Sequence, residues 1–207
     1  MAFLALQICF ELFLPQNLRS TVHSEGGPHE TMQALLMVFS FLIALCGVKK
    51  AISAEKKWLA SWFGLAAICC LYVGGEEVSW GQHIFDWATP QFWLDVNDQQ
   101  ETNLHNTSSW LDQKPRLVLE IGILVGGLVL PLIEKLKSGF LPERFEIIYP
   151  PAFLSVIAAL VIVPKLIDKA GEAVDVSVFE RVSELQELYM FYFVLLYLIA
   201  LKKRLKT

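Results

Sequence analysis

Charge is scarce in this 207-residue chain: 18% of residues are charged and 55% are hydrophobic. A soluble domain of this size carries about 25% charged residues. Cysteine pairing is missing too. Cys9, Cys46, Cys69 and Cys70 all lie in apolar runs, without C-x-x-C or finger spacing, and the adjacent Cys69 and Cys70 are badly placed for a disulfide. They read as small buried hydrophobes. No basic stripe interleaved with aromatics occurs, and the net charge is −4, which argues against a nucleic-acid partner. There is no internal repeat and no low-complexity tract. The start, Met1–Leu6, has no basic n-region, and Glu11 interrupts its apolar run, so a retained first helix is expected instead of a cleaved signal.

Long hydrophobic runs are present in its place. Thr31–Val48, Trp58–Gly75, Leu117–Ile133, Ile147–Ile167 and Val182–Leu201 each approach the length that crosses a hydrocarbon layer of roughly 30 Å as a helix. Ala2–Pro15 is shorter and counts as a sixth. The expectation is an all-α, polytopic membrane bundle of about six transmembrane helices, a single domain over 1–207.

Charge sign sets the orientation. Eleven of the seventeen Lys and Arg fall in Lys49–Lys57, Lys135–Arg144 and Lys202–Lys206, three segments that alternate along the chain, while seventeen of the twenty-one acids fall on the other side. By the positive-inside rule the basic side and both termini face the cytoplasm of a cytoplasmic membrane. Trp80, Trp87, Trp93 and Trp110 then fall near the outer interface, and Trp58 and Trp62 near the inner one, as aromatic belts require.

The chemistry-bearing residues gather on the acidic, outer side. Ionisable groups near lipid are costly and therefore functional candidates. If the third helix runs on from Val73 to Phe85, Glu76, Ser79 or Trp80, and His83 share one face, with Glu77 a quarter-turn away. A carboxylate and an imidazole on one face suit a divalent metal or proton exchange. The plainer reading is that Glu76 and Glu77 end the span and face water. Glu101 and His105 repeat the i, i+4 spacing in a stretch that could form a short helix after Pro90, and the topology returns it to the same edge. Glu76 or Glu77, Glu101 and His105 would be donors to zinc, iron or manganese, with Ser79, Gln82 and Asn106 holding water or substrate. Glu120, Glu184 and Glu187, with Glu180 a turn earlier, lie just inside the same edge, and Lys165 is a candidate counter-charge. Glu30, after the turn Ser24–His29, either starts its helix or joins the site. Asn106-Thr107-Ser108 is a glycosylation sequon.

The string Gly75–Phe85 (GEEVSWGQHIF), followed by Thr89-Pro90 and Asn103-Leu104-His105-Asn106, resembles an uncharacterised family of bacterial multi-pass membrane proteins with E-E-x-S-W-G-Q and N-L-H-N motifs. The position of His83 is often Arg in that family. The resemblance therefore implies a site resting on Glu76, Glu77, Glu101 and His105. A fainter similarity is to alkaline-ceramidase-type membrane hydrolases. It would pair Ser79 with His83 and use Asp95 or Asp98, but Glu184 and Glu187 stand where that family has a histidine pair.

Three functions are expected in order. The first is a metal-dependent hydrolase acting on a lipid or envelope substrate, with Glu76, Glu77, Ser79 and Glu101 catalytic and His105, Glu101, Glu76 and His83 on the metal. The second is a non-enzymatic assembly or lipid- or cofactor-binding protein in which the Glu/His cluster is a structural hydrogen-bond network. The third is a cation-coupled carrier. The lipid bilayer is the expected partner of all three, and protein partners are left open.

Overall fold

A computed structural model describes residues 8–9, 11–15, 18, 27–97, 99–176, 179 and 181–205; the side chains of His83, His105, Ser109, Leu111 and Asp112 lie outside that set. Every regular element among the described residues is helical.

Helix α1 (Pro28–Ser53) opens with Pro28 and has Glu30 in its first turn and Lys50 in its last. All three placements suit a helix: proline has no N–H to waste there, and the charges complement the dipole. A short turn around Glu55 leads into α2 (Lys57–Glu76). The buried face of α1 is Gln33, Met37, Ser40, Ala44, Gly47 and Ala51, a spacing of three and four that keeps one seam toward a neighbour. Most of these side chains are small, so the backbones approach closely. A Cβ at Gly47 would lie 2.3 Å from the Phe63 ring, which shows how completely Phe63 of α2 fills that hollow.

Helix α3 (Ser109–Leu124) passes through a π turn, Val125–Val129, into α4 (Leu130–Leu136). Gly126 and Gly127 bring this turn against Pro150 and Ala158. Helix α5 (Ser155–Glu172) and helix α6 (Val182–Arg204) come next in the chain. Helix α6 lies at the centre: Leu185, Tyr189, Met190, Phe193 and Leu198 are buried against α1 and α5.

Among the described residues four helical stretches are long and apolar enough to cross a membrane: Pro28–Ser53, Lys57–Glu76, Gln113–Leu136 and Val182–Arg204. Two of the six expected spans are not among them. Half of Ala2–Pro15 lies outside the described residues. The expected span Ile147–Ile167 is corrected: Pro150 and Pro151 lack the N–H groups a helix needs there. The chain makes short 3₁₀ turns at Glu143–Ile148 and Ala152–Leu154 before α5 begins at Ser155 and runs on to Glu172.

The bundle has two chemically distinct ends. At the basic end Arg204 donates to the carbonyls of Ile147 (2.9 Å) and Tyr149 (2.6 Å). Tyr197 there donates to the Ile148 carbonyl and accepts from Trp62 Nε1. At the acidic end the start of α1, the end of α2 and the starts of α3 and α6 meet.

Candidate functional site: a latched loop beside a carboxylate centre

Helix α2 does not continue to Phe85 as expected. It stops at Glu76, and Ser79, Trp80 and Gly81 all take positive φ (45°, 55° and 105°). Left-handed backbone costs a non-glycine residue about 1–3 kcal/mol, and it persists only where the surroundings hold it. The turn breaks the helical face that was to align Glu76, Ser79 and His83. It folds Trp80 back over Gly75, where a Cβ would stand 2.9 Å from the indole. Trp80 Nε1 then donates to Glu76 Oε1 at 2.6 Å.

The loop 97–107 closes over this turn. The Leu104 N–H donates to the other oxygen of Glu76 at 2.7 Å. The Ser79 hydroxyl donates to Glu101 Oε2 at 2.6 Å, and Asn103 Nδ2 reaches both Ser79 Oγ (2.9 Å) and Glu101 Oε2 (2.7 Å). Ser79, Glu101 and Asn103 are all buried. Asn97 bonds Asn103 through its amide nitrogen, and its oxygen accepts from the N–H groups of Gln99 and Glu101. Gln82 accepts from the Thr102 N–H and hydroxyl, and its own amide donates to Thr89 and to the Trp87 carbonyl. Asn106 donates to Gln99.

Sequence reasoning placed Glu76 against the Glu101–His105 segment, and the Leu104–Glu76 bond brings them together. It erred on local form. The short helix after Pro90 is Gln91–Val96; Glu101 sits in non-helical chain and His105 opens a separate 3₁₀ turn, so they do not share a helical face. Asn97, Thr102 and Asn103 went unnamed as site residues. Their signal was available: short amides and hydroxyls crowded into one loop bond nearby backbone in preference to forming helix. Asp95, the acid proposed beside Ser79, is exposed and accepts from Gln91 on its own short helix. Asp98 lies outside the described residues.

Glu77 faces elsewhere. Its neighbours are Glu184 and Glu187 of α6, Glu30 of α1 and Arg116 of α3. Removal from water, then the charges of Glu187, Glu184 and Glu30, push its carboxyl well above the ordinary carboxylate range, and Arg116 only partly opposes them. Arg116 pairs with Glu187 at 2.9 Å and donates to the Ser183 carbonyl and to Gln186 Oε1. Gln33, fully buried, donates to the backbone and carboxylate oxygens of Glu184 (3.0 and 3.2 Å). Gln33 Oε1 and Gln186 Nε2 are buried with no hydrogen-bond partner among the described residues. Glu30 thus both opens its helix and joins the centre. Glu120 stands apart, 3.4 Å from Lys165, the counter-charge the sequence suggested. Glu180 lies outside the described residues. Gln33, Gln186 and Arg116 were missed, although a glutamine one turn after Glu30 in an apolar run is a readable signal.

Among the described residues no three His, Cys, Asp or Glu side chains are grouped to hold a metal ion. The imidazoles of His83 and His105, which carried the metal expectation, lie outside the described side chains. Comparison with family models, with curated proteins and with solved structures finds no match to this chain.

Proposed function

We propose that this chain is a multi-pass membrane protein of binding or assembly type, in which Glu76, Ser79 and Glu101 fasten a loop to the bundle and do not turn over a substrate. The basic end would face the cytoplasm and the latched loop the outer side. One observation carries this reading: Glu76 and Glu101, two of the acids nominated for catalysis, have oxygens taken by protein donors, and the nominated nucleophile, Ser79, is buried and bonded to Glu101 and Asn103. A general base must reach a substrate proton, whereas these groups reach one another. The test compares Glu101→Leu and Ser79→Ala with wild type in detergent and in vesicles of bacterial polar lipid. The expected result is a destabilised protein whose loop becomes protease-sensitive, with no lipid hydrolysis by wild type. A stably folded Ser79→Ala that abolishes a measurable lipid hydrolysis would restore the hydrolase.

The Glu77 centre favours a second reading, a proton- or cation-coupled protein. Acids gathered with Arg116 and two half-satisfied buried glutamines are features of membrane proteins that move charge. Uptake of protons into vesicles under an imposed potential, lost in Glu77→Gln with folding intact, would move the reading to this class. Equal flux in wild type and variant would remove it.

A further inference from the structure

The segment between the left-handed turn and the latch carries more exposed apolar surface than a water-facing loop sustains. Ile84, Phe85 and Phe92 are 66%, 75% and 66% exposed, and Trp87, Leu94 and Val96 are each more than a third exposed. All six lie outside the stretches able to cross a membrane. They are not a floppy tether. Phe85 stacks on Trp87 at 6.2 Å, and both rings sit over Gly81, where a Cβ would meet each at 3.3 Å. Phe92 meets Trp93 edge-on at 5.4 Å.

Their height is fixed. Glu76 ends α2 and holds the Leu104 N–H, while Gln82 holds the Trp87 carbonyl and the Thr89 hydroxyl. The aromatic segment therefore cannot rise away from the end of α2. An apolar cleft of about 250 Å³ continues from it down the bundle between α1 and α2, lined by Val38, Phe41, Leu71, Gly75, Val78 and Trp80. Leu71 and Val38 on its walls are half exposed. The aromatic patch is thus continuous with the flank of two helices apolar enough to cross a membrane.

We infer that residues 84–96 form an interfacial plate that inserts its aromatic and aliphatic side chains into the headgroup–acyl boundary of the same bilayer that the helices cross. This rests on the membrane reading above. Amphipathic rings are favoured at that boundary. The recognised chemistry is apolar and not anionic: no Lys or Arg occurs between Lys57 and Lys114, and the segment holds Asp86 and Asp95. Insertion should therefore be the same in zwitterionic and anionic lipid and indifferent to salt, unlike attachment through basic residues.

The test uses the full chain with Cys9, Cys46, Cys69 and Cys70 replaced by alanine, carrying Phe85→Cys or Phe92→Cys with a nitroxide label. It is reconstituted in phosphatidylcholine vesicles with and without phosphatidylglycerol. Both side chains are exposed and outside the core, so each substitution removes only a surface ring contact, with Trp87 or with Trp93. The expected result is that oxygen relaxes both labels more than a water-soluble nickel chelate does, equally in both lipids and at low and high salt. Ready access of the chelate to both labels would overturn the plate. So would dipolar broadening between labels on different molecules, which would mean that a second copy covers the patch. Alkaline extraction of the same vesicles separates the two ideas: a chain that washes off contradicts the membrane reading itself, while an integrated chain with water-exposed labels contradicts the plate alone.

Discussion

Glu76 and Glu77 are neighbours in sequence and opposites in circumstance. Glu76 has both oxygens occupied, by Trp80 Nε1 and by the Leu104 N–H, and it joins helix α2 to a loop. Glu77 points among Glu30, Glu184 and Glu187 with Arg116 as the opposing charge, beside two buried amides that are each only half satisfied. The first environment is a finished hydrogen-bond network, which rigidifies. The second is costly to hold ionised, and such sites are where membrane proteins keep function. Two adjacent acids of one motif are therefore not one site. Glu77 is still helical at the end of α2, and successive helical residues point about 100° apart, which separates them.

The latch should be the more fragile under mutation. Glu101→Leu removes the acceptor of two buried donors, Ser79 Oγ and Asn103 Nδ2. Each orphaned group costs about 1–3 kcal/mol, so a loss of roughly 2–6 kcal/mol is expected in reversible detergent unfolding. A loss below about 1 kcal/mol would show that the network is dispensable. Gly75→Ala should come second, because the new methyl would enter the Trp80 indole. Overpacking of this kind costs about 1–3 kcal/mol, and the displaced indole should give a red-shifted tryptophan emission.

Glu77→Gln should act in the other direction and depend on pH. The folded carboxyl titrates above its ordinary value of 4.5, so its contribution to stability is complete below that value and is lost as pH rises through the folded one. Wild type should lose Tm across that window, and the variant should be flatter and the more stable of the two on the alkaline side. Identical pH profiles would remove the carboxylate centre as an energetic entity. Lys165→Ala should matter least: it breaks a half-exposed pair with Glu120, worth under about 1 kcal/mol.

How much of this was legible beforehand divides along the same line. The helices were readable because apolar runs of sufficient length allow little else, and Lys165 beside Glu120 came from their common edge. The meeting of Glu76 with the Glu101–His105 segment was readable too, since both were tied to one end of the bundle. The break after Glu76 was not. Ser79 and Trp80 carry side chains that ordinarily avoid positive φ, and bonds between Ser79 and the loop at Glu101, Thr102 and Asn103, with the Trp80–Glu76 bond, hold them there. Nor did helical phasing reveal that Glu101 would leave the helix, since Asn97 bonds its N–H from the side. The start of α5 at Ser155 was within reach, because Pro150-Pro151 announces it.

Glu76→Gln and Glu77→Gln, unfolded side by side across neutral and alkaline pH, test the separation of the two acids most directly. Glu76→Gln turns an amide N–H₂ toward one of two N–H donors and should destabilise the protein at every pH. Glu77→Gln should gain on wild type as pH rises through the raised folded titration of Glu77. Equal losses in both variants, or a larger loss in Glu77→Gln, would contradict the division into a latch and a charge centre.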